Sequence, residues 1–171
     1  MAPRRAAVVF TEKEFYLDEF RGRTLLFAVH HAGAADRLRS LGEVTRDLLL
    51  NDTRVLILLG GPAARERPAL RALERPLAGL PSAQVSMPFP QLRLVPGDGS
   101  GPVLNVTADE VARTVIPDDL LVRVWDIMRG TPFFLGLCDA DTPERLAAFA
   151  ARLGARLRAH KLVIADPEGG I

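Results

Sequence analysis

The stretches 25–29 (LLFAV) and 55–59 (VLILL) are apolar at every position. Between them Leu38, Leu41, Val44, Leu48 and Leu49 recur at the three- and four-residue spacing of a helix. A small-residue turn precedes that helix, Asp36 is placed to cap it, and Asn51-Asp52 ends it. Two strands that are apolar on both faces, joined through a helix, are the signature of a βαβ unit in a covered parallel sheet. The pattern recurs near the other end. Residues 132–137 (PFFLGL) read as a strand, and Thr142-Pro143-Glu144 supplies a capping hydroxyl, a proline suited to the first helical position and an acid in the first turn. Leu146, Phe149, Ala150, Leu153 and Leu157 give this helix one apolar face, and 162–165 (LVIA) is the next strand.

The pattern between the two units is weaker. Residues 62–77 are rich in Ala, Arg and Leu and read as helical despite Pro68. Residues 79–102 hold several prolines and the run PGDGSGP, and read as loop or short hairpin. Residues 103–106 are expected to form a strand, and Thr107 and Glu110 have capping-box spacing for a short helix. Pro117-Asp118-Asp119 opens another helix, with Leu120, Leu121, Val124 and Ile127 inside and Gly130 as its stop.

Length and composition narrow the class. A chain of 171 residues fits one domain, spanning 1–171. Apolar residues at 48% and charged residues at 25% are those of an ordinary globular protein with enough material for a core. Lys+Arg 22 against Asp+Glu 21 gives a formal charge of +1, so there is no global electrostatic reason to bind nucleic acid or an anionic membrane. No stretch approaches the roughly 20 apolar residues of a membrane span. The opening MAPRRAAVVF is too short for a signal peptide and is interrupted by Thr11-Glu12-Lys13-Glu14, so a cytoplasmic protein is expected. The single cysteine, Cys138, has no internal disulfide partner and ends an apolar run; it reads as a small core residue rather than a nucleophile.

The candidate chemistry stands just past the strands. Ligands of open α/β sheets bind outside the carboxyl ends of the strands. His30-His31, Gly60-Gly61, Asp139, Asp141 and Asp166 all follow strands and so could share one rim; the alternative is that each is a solvated loop residue. Gly60-Gly61-Pro62 stands where a buried strand meets a helix, which suits close approach of an anion and equally a tight turn that needs glycine dihedrals. A zinc site from His30, His31 and an aspartate is disfavoured, because adjacent strand residues point in opposite directions. PGDGSGP lacks the lysine-hydroxyl pair of a phosphate loop and reads as a surface turn. His160, near a helix end, reads as a complement to the helix dipole.

Taken in order, these motifs resemble the amino acid kinase family, and within it the acetylglutamate kinase branch. The stretch FRGRTLLFAVHHAGAADRLRSLGEVTRDLLLNDTRVLILLGGP is similar to that branch's opening, in which a Phe-Arg-Gly-Lys-like entry leads through a strand to a Lys-x-Gly-Gly turn, a helix, and a strand ending in a His-Gly-Gly-Gly-Pro-like turn. MRGTPFFLGL resembles the branch's strand entry after a helix. TPERLAAFAARLGARLRAHKLVIADPEGGI resembles its Ala-rich helix and the strand that ends in Thr-Asp-Val-x-Gly-Val. The similarity covers both ends and not the middle, about 63–115. It implies a three-layer αβα sandwich with a mainly parallel sheet, and phosphoryl transfer from ATP to a carboxylate, chemistry that needs positive charge and backbone donors around the phosphoryl group.

The departures fall on those parts. The family's first-strand lysine aligns with Ala28 and its two glycines with His30 and His31, whose Cβ atoms and imidazoles would block close approach to a phosphate. Leu58 and Leu59 replace the His-Gly that begins the second turn, while Gly60, Gly61 and Pro62 match. The branch's two asparagines align with Asp139 and Asp141, and an aspartate at the next helix start aligns with Pro143. Asp166 matches the aspartate that organises the catalytic lysines, without the first lysine to organise. The family's ATP-binding lobe follows the strand at 162–165, so the chain is expected to be a fragment or a half-domain lacking that C-terminal lobe.

The resemblance therefore implies a pseudokinase: a non-catalytic regulatory, ligand-sensing or assembly domain without cofactor or metal. Its implied partners are a second copy in a homodimer, a fused or associated module, and a small carboxylate or amino acid at the degenerate site. Two other expectations stand beside it. One is an active carboxylate kinase completed by residues beyond 171; the other is a protein-interaction module with no small ligand.

Overall fold

The computed structural model describes residues 11–31, 35–78, 80, 94 and 102–165. Its elements run α1 (Glu12–Phe20), β1 (Thr24–His30), α2 (Ala35–Leu50), β2 (Arg54–Gly60), α3 (Arg67–Leu77), β3 (Val103–Val106), α4 (Ala108–Ala112), α5 (Asp118–Gly130), β4 (Phe133–Cys138), α6 (Pro143–Leu157) and β5 (Lys161–Ala165). The five strands form one sheet in the order β3-β4-β2-β1-β5, and every neighbouring pair is parallel. The expected βαβ units are both present, and the sheet is covered on both faces, as a three-layer α/β sandwich requires.

Alternation along the strands sorts the core into two layers. Leu25, Phe27, Val55, Ile57, Leu59, Phe133, Leu135 and Leu137 face α2 and α3, with Leu17 and Phe20 of α1 packed alongside. Leu26, Ala28, Leu56, Leu58, Phe134 and Cys138 face α4, α5 and α6. β4 is buried along its whole length, which explains its uninterrupted apolar sequence.

Two glycines set close packing. A Cβ on Gly42 of α2 would lie 2.6 Å from the Leu73 carbonyl oxygen, so α2 and α3 approach more closely than an alanine permits. Gly136 of β4 is register partner to Leu58 of β2 and Leu104 of β3. The Leu58 side chain occupies the hollow, 2.7 Å from where a Cβ would stand.

The helix ends follow their sequence signals, with four differences. Thr107 and Glu110 form the expected capping box, and Thr142 caps α6 with Pro143 at its first position. Asp36 lies within the first turn of α2 rather than at its cap, and Gly130 lies inside α5, whose cap is Thr131. The segment from Pro62 to Glu66 forms turns, and α3 begins at Arg67 with Pro68 in its opening turn, where a missing N–H costs nothing. His160 belongs to the entry of β5: α6 is already closed by Arg158 in the left-handed conformation, and the His160 amide donates to the Thr24 carbonyl.

α1 is an element the hydrophobic pattern did not announce. Thr11 and Glu14 cap it reciprocally, and that hydrogen bonding to Thr11 holds the Glu14 carboxyl below its usual range. Asn51 and Thr53 donate to the Leu17 and Phe20 carbonyls at its end. No residue of α1 is fully buried.

Candidate functional site

Because all strands are parallel, their carboxyl ends lie at one rim. β1 and β2 are followed by helices on one face of the sheet, whereas β3 and β4 are followed by helices on the other. The crevice between β2 and β4 is therefore the switch point at which ligands of such sheets bind. Gly60 and Gly61 stand on one side of it and Asp139 on the other.

The chain's own atoms occupy much of this crevice. The face of Gly60 packs against α6: a Cβ there would meet Leu146 Cδ2 at 3.2 Å and Ala140 Cβ at 3.4 Å. Gly61 has φ +100, and a Cβ on it would collide with the His31 carbonyl oxygen. The His31 amide in turn donates to the Gly60 carbonyl at 2.7 Å. Gly61 is thus required by the turn and by its contact with the segment after β1, whereas a side chain at Gly60 would press on Leu146 and Ala140. Arg65, in the turn before α3, reaches across the rim and donates to Asn105 Oδ1 of β3 and to the Leu137 carbonyl of β4 at 3.3 Å. Arg65 was not marked by its sequence context, since an Ala-Arg-rich stretch does not reveal which arginine turns inward.

The two histidines part company as strand alternation requires. His30 is register partner to Gly60 and shares its face, toward α6, where its Nε2 is buried without a hydrogen-bond partner among the described residues. His31 is 5% exposed and lies on the side of Glu66. Burial pushes the His31 imidazole below its ordinary value, and the charge of Glu66 partly offsets that. Its burial was not legible in sequence, because a residue beyond the last apolar position of a strand ordinarily points to solvent.

Asp139 is exposed, with its amide donating to the Val106 carbonyl. Asp141 is also exposed and pairs with Arg145, one turn into α6, at 3.2 Å. Asp166 and the PGDGSGP run up to Gly101 lie outside the described residues. Among the described residues no group of three His, Cys, Asp or Glu side chains could hold a metal ion. Cys138 is buried beneath the rim, and burial raises its thiol to about 12, with Arg65 pulling the other way.

Among the described residues no helix is long and apolar enough to cross a membrane. Compared with protein-family models and with characterised proteins, the chain matches none.

Proposed function

We propose that the chain is a non-catalytic amino acid kinase-like domain, closest to the acetylglutamate kinase branch, that serves regulation, ligand sensing or assembly alongside another module. One observation carries the reading. The glycine turn that a phosphate would approach is packed against Leu146, Ala140 and the His31 backbone. Ala28, which stands where the family keeps its first-strand lysine, is a buried core residue that offers no charge. The covered, all-parallel sheet supports the reading at the level of fold class. The test is calorimetric titration with ATP, together with ATP-dependent phosphorylation of a carboxylate trapped as the hydroxamate. The expected result is no turnover. Turnover that Asp166→Ala abolishes would overturn the reading.

A second reading, an active carboxylate kinase completed by further residues, has Arg65 in its favour. That cation stands at the switch point, although its described hydrogen bonds go to the protein itself. Loss of ATP-dependent activity in Arg65→Ala, measured in a chain that carries a nucleotide-binding lobe, would establish it.

A further inference from the structure

Away from the strand-end rim, α1 and α2 bound a groove over β1 and β5 with a volume of about 540 Å³. Cavities of roughly 300–1,000 Å³ hold small organic ligands. The floor is Leu25 and Phe27 of β1 with Val163 of β5, and the walls are Leu17 and Phe20 of α1 and Val44 of α2. α1 lies over this groove with Leu17 and Phe20 only partly buried against the core and with polar contacts at both ends: Lys13 pairs with Asp47 at 2.6 Å near its start, and Asn51 and Thr53 hold the backbone near its end. Val44, expected on the inner face of α2, is instead 50% exposed, and Tyr16 beside it is 48% exposed.

The charges along the groove are uneven. On the α2 side Asp47 is engaged by Lys13, and Glu43 faces Arg39 at 3.9 Å. At the β5 side the Lys161 ammonium lies 5.6 Å from the centre of the Phe20 ring, and no carboxylate pairs with it among the described residues. A cation held over an aromatic face at the end of an apolar trough fits one negative charge followed by a hydrocarbon tail. A phosphate dianion fits less well, because Lys161 is a single point charge and Lys13, the other cation of the groove, is engaged by Asp47.

We propose that this groove binds an amphipathic monocarboxylate, an aliphatic or arylalkyl acid of medium length, with its carboxylate at Lys161 and its tail along Phe20, Phe27 and Val163. The site is independent of the reading of the strand-end rim.

The test is calorimetry on the full chain with decanoate below its micelle concentration, with decylamine and acetate as controls that invert the charge and remove the tail. The expected result is saturable one-to-one binding of decanoate, with both controls weaker by about tenfold or more. Lys161→Glu and Val44→Glu alter exposed positions, and a circular dichroism melt confirms that each folds. Each is expected to weaken decanoate by about tenfold or more. The proposal is overturned by absence of saturable binding, by equal affinity for decylamine, or by folded variants that bind as the wild type does. A dimer in sedimentation that Val44→Glu dissolves would give the groove to a second copy, and would also overturn it.

Discussion

At the scale of single residues, Gly22 and Gly61 both hold a positive φ, yet alanine should affect them differently. Gly22 has φ +69 with nothing among the described residues within 4 Å of an added Cβ, so Gly22→Ala should cost only the left-handed conformation, about 1–2 kcal/mol. Gly61→Ala adds a collision with the His31 carbonyl to that cost and is expected to exceed ~3 kcal/mol, as read from urea midpoints. His31 makes a second residue-scale prediction. Its folded-state value lies below the ordinary 6.5, so below that pH the unfolded chain binds more protons than the folded one. Its contribution to stability is full above about pH 6.5, falls as the pH drops below that, and levels off beneath the folded-state value. Urea midpoints between about pH 8 and 5 should lose part of their slope in His31→Gln. Cys138 gives a third. With its thiol raised to about 12, it should resist a disulfide-exchange reagent in the native protein and react fully once denaturant is added. Of the candidate site, the separation of the two imidazoles was readable from residue chemistry alone, whereas the glycine pair stood equally open between a tight turn and an anion site. The inward reach of Arg65 and the burial of His31 were not readable, because both depend on what the opposite strand ends present.

The elements were legible wherever an apolar period and an end signal agreed. β1, α2, β2, β4 and α6 have both, and the structure holds each of them. α6 is the sharpest case: the Thr142 hydroxyl accepts from the Arg145 amide at 3.3 Å, and Thr142→Ala should cost about 1 kcal/mol in urea unfolding. α1 shows the limit. Phe15, Tyr16, Leu17 and Phe20 run around the helix instead of along one stripe, so no period marks it, although its capping box was present in the sequence. Val44 errs in the opposite direction. It keeps the helical spacing of its neighbours, but the surface opposite it is the groove beside α1 rather than packed core. Ile127 is likewise half-buried, and Met128 takes the inner position in the last turns of α5.

For the whole molecule, the apolar content implied a core, and the paired strand patterns implied a parallel sheet. The order β3-β4-β2-β1-β5 was out of reach, since strands with near-identical apolar sequences do not declare their neighbours. Both core layers share β1, β2 and β4, so they should unfold together. The only tryptophan, Trp125, reports on the α5 side and the only tyrosine, Tyr16, on the α1 side. Their urea transitions should coincide in the wild type, and should shift together when either Leu56 or Ile57 is cut to alanine, each at a cost of ~2–5 kcal/mol. Separate transitions would show two independently folding layers. The hollow at Gly136 carries this unity into the protein's history. Because Leu58 fills the space where a side chain at 136 would stand, the two positions form a single unit of volume shared between neighbouring strands. A larger residue at 136 therefore requires the Leu58 side chain to shift or to shrink. Across relatives the pair should drift together, and Gly136→Ala should cost less stability beside Leu58→Val than alone, as a double-mutant cycle in urea would read.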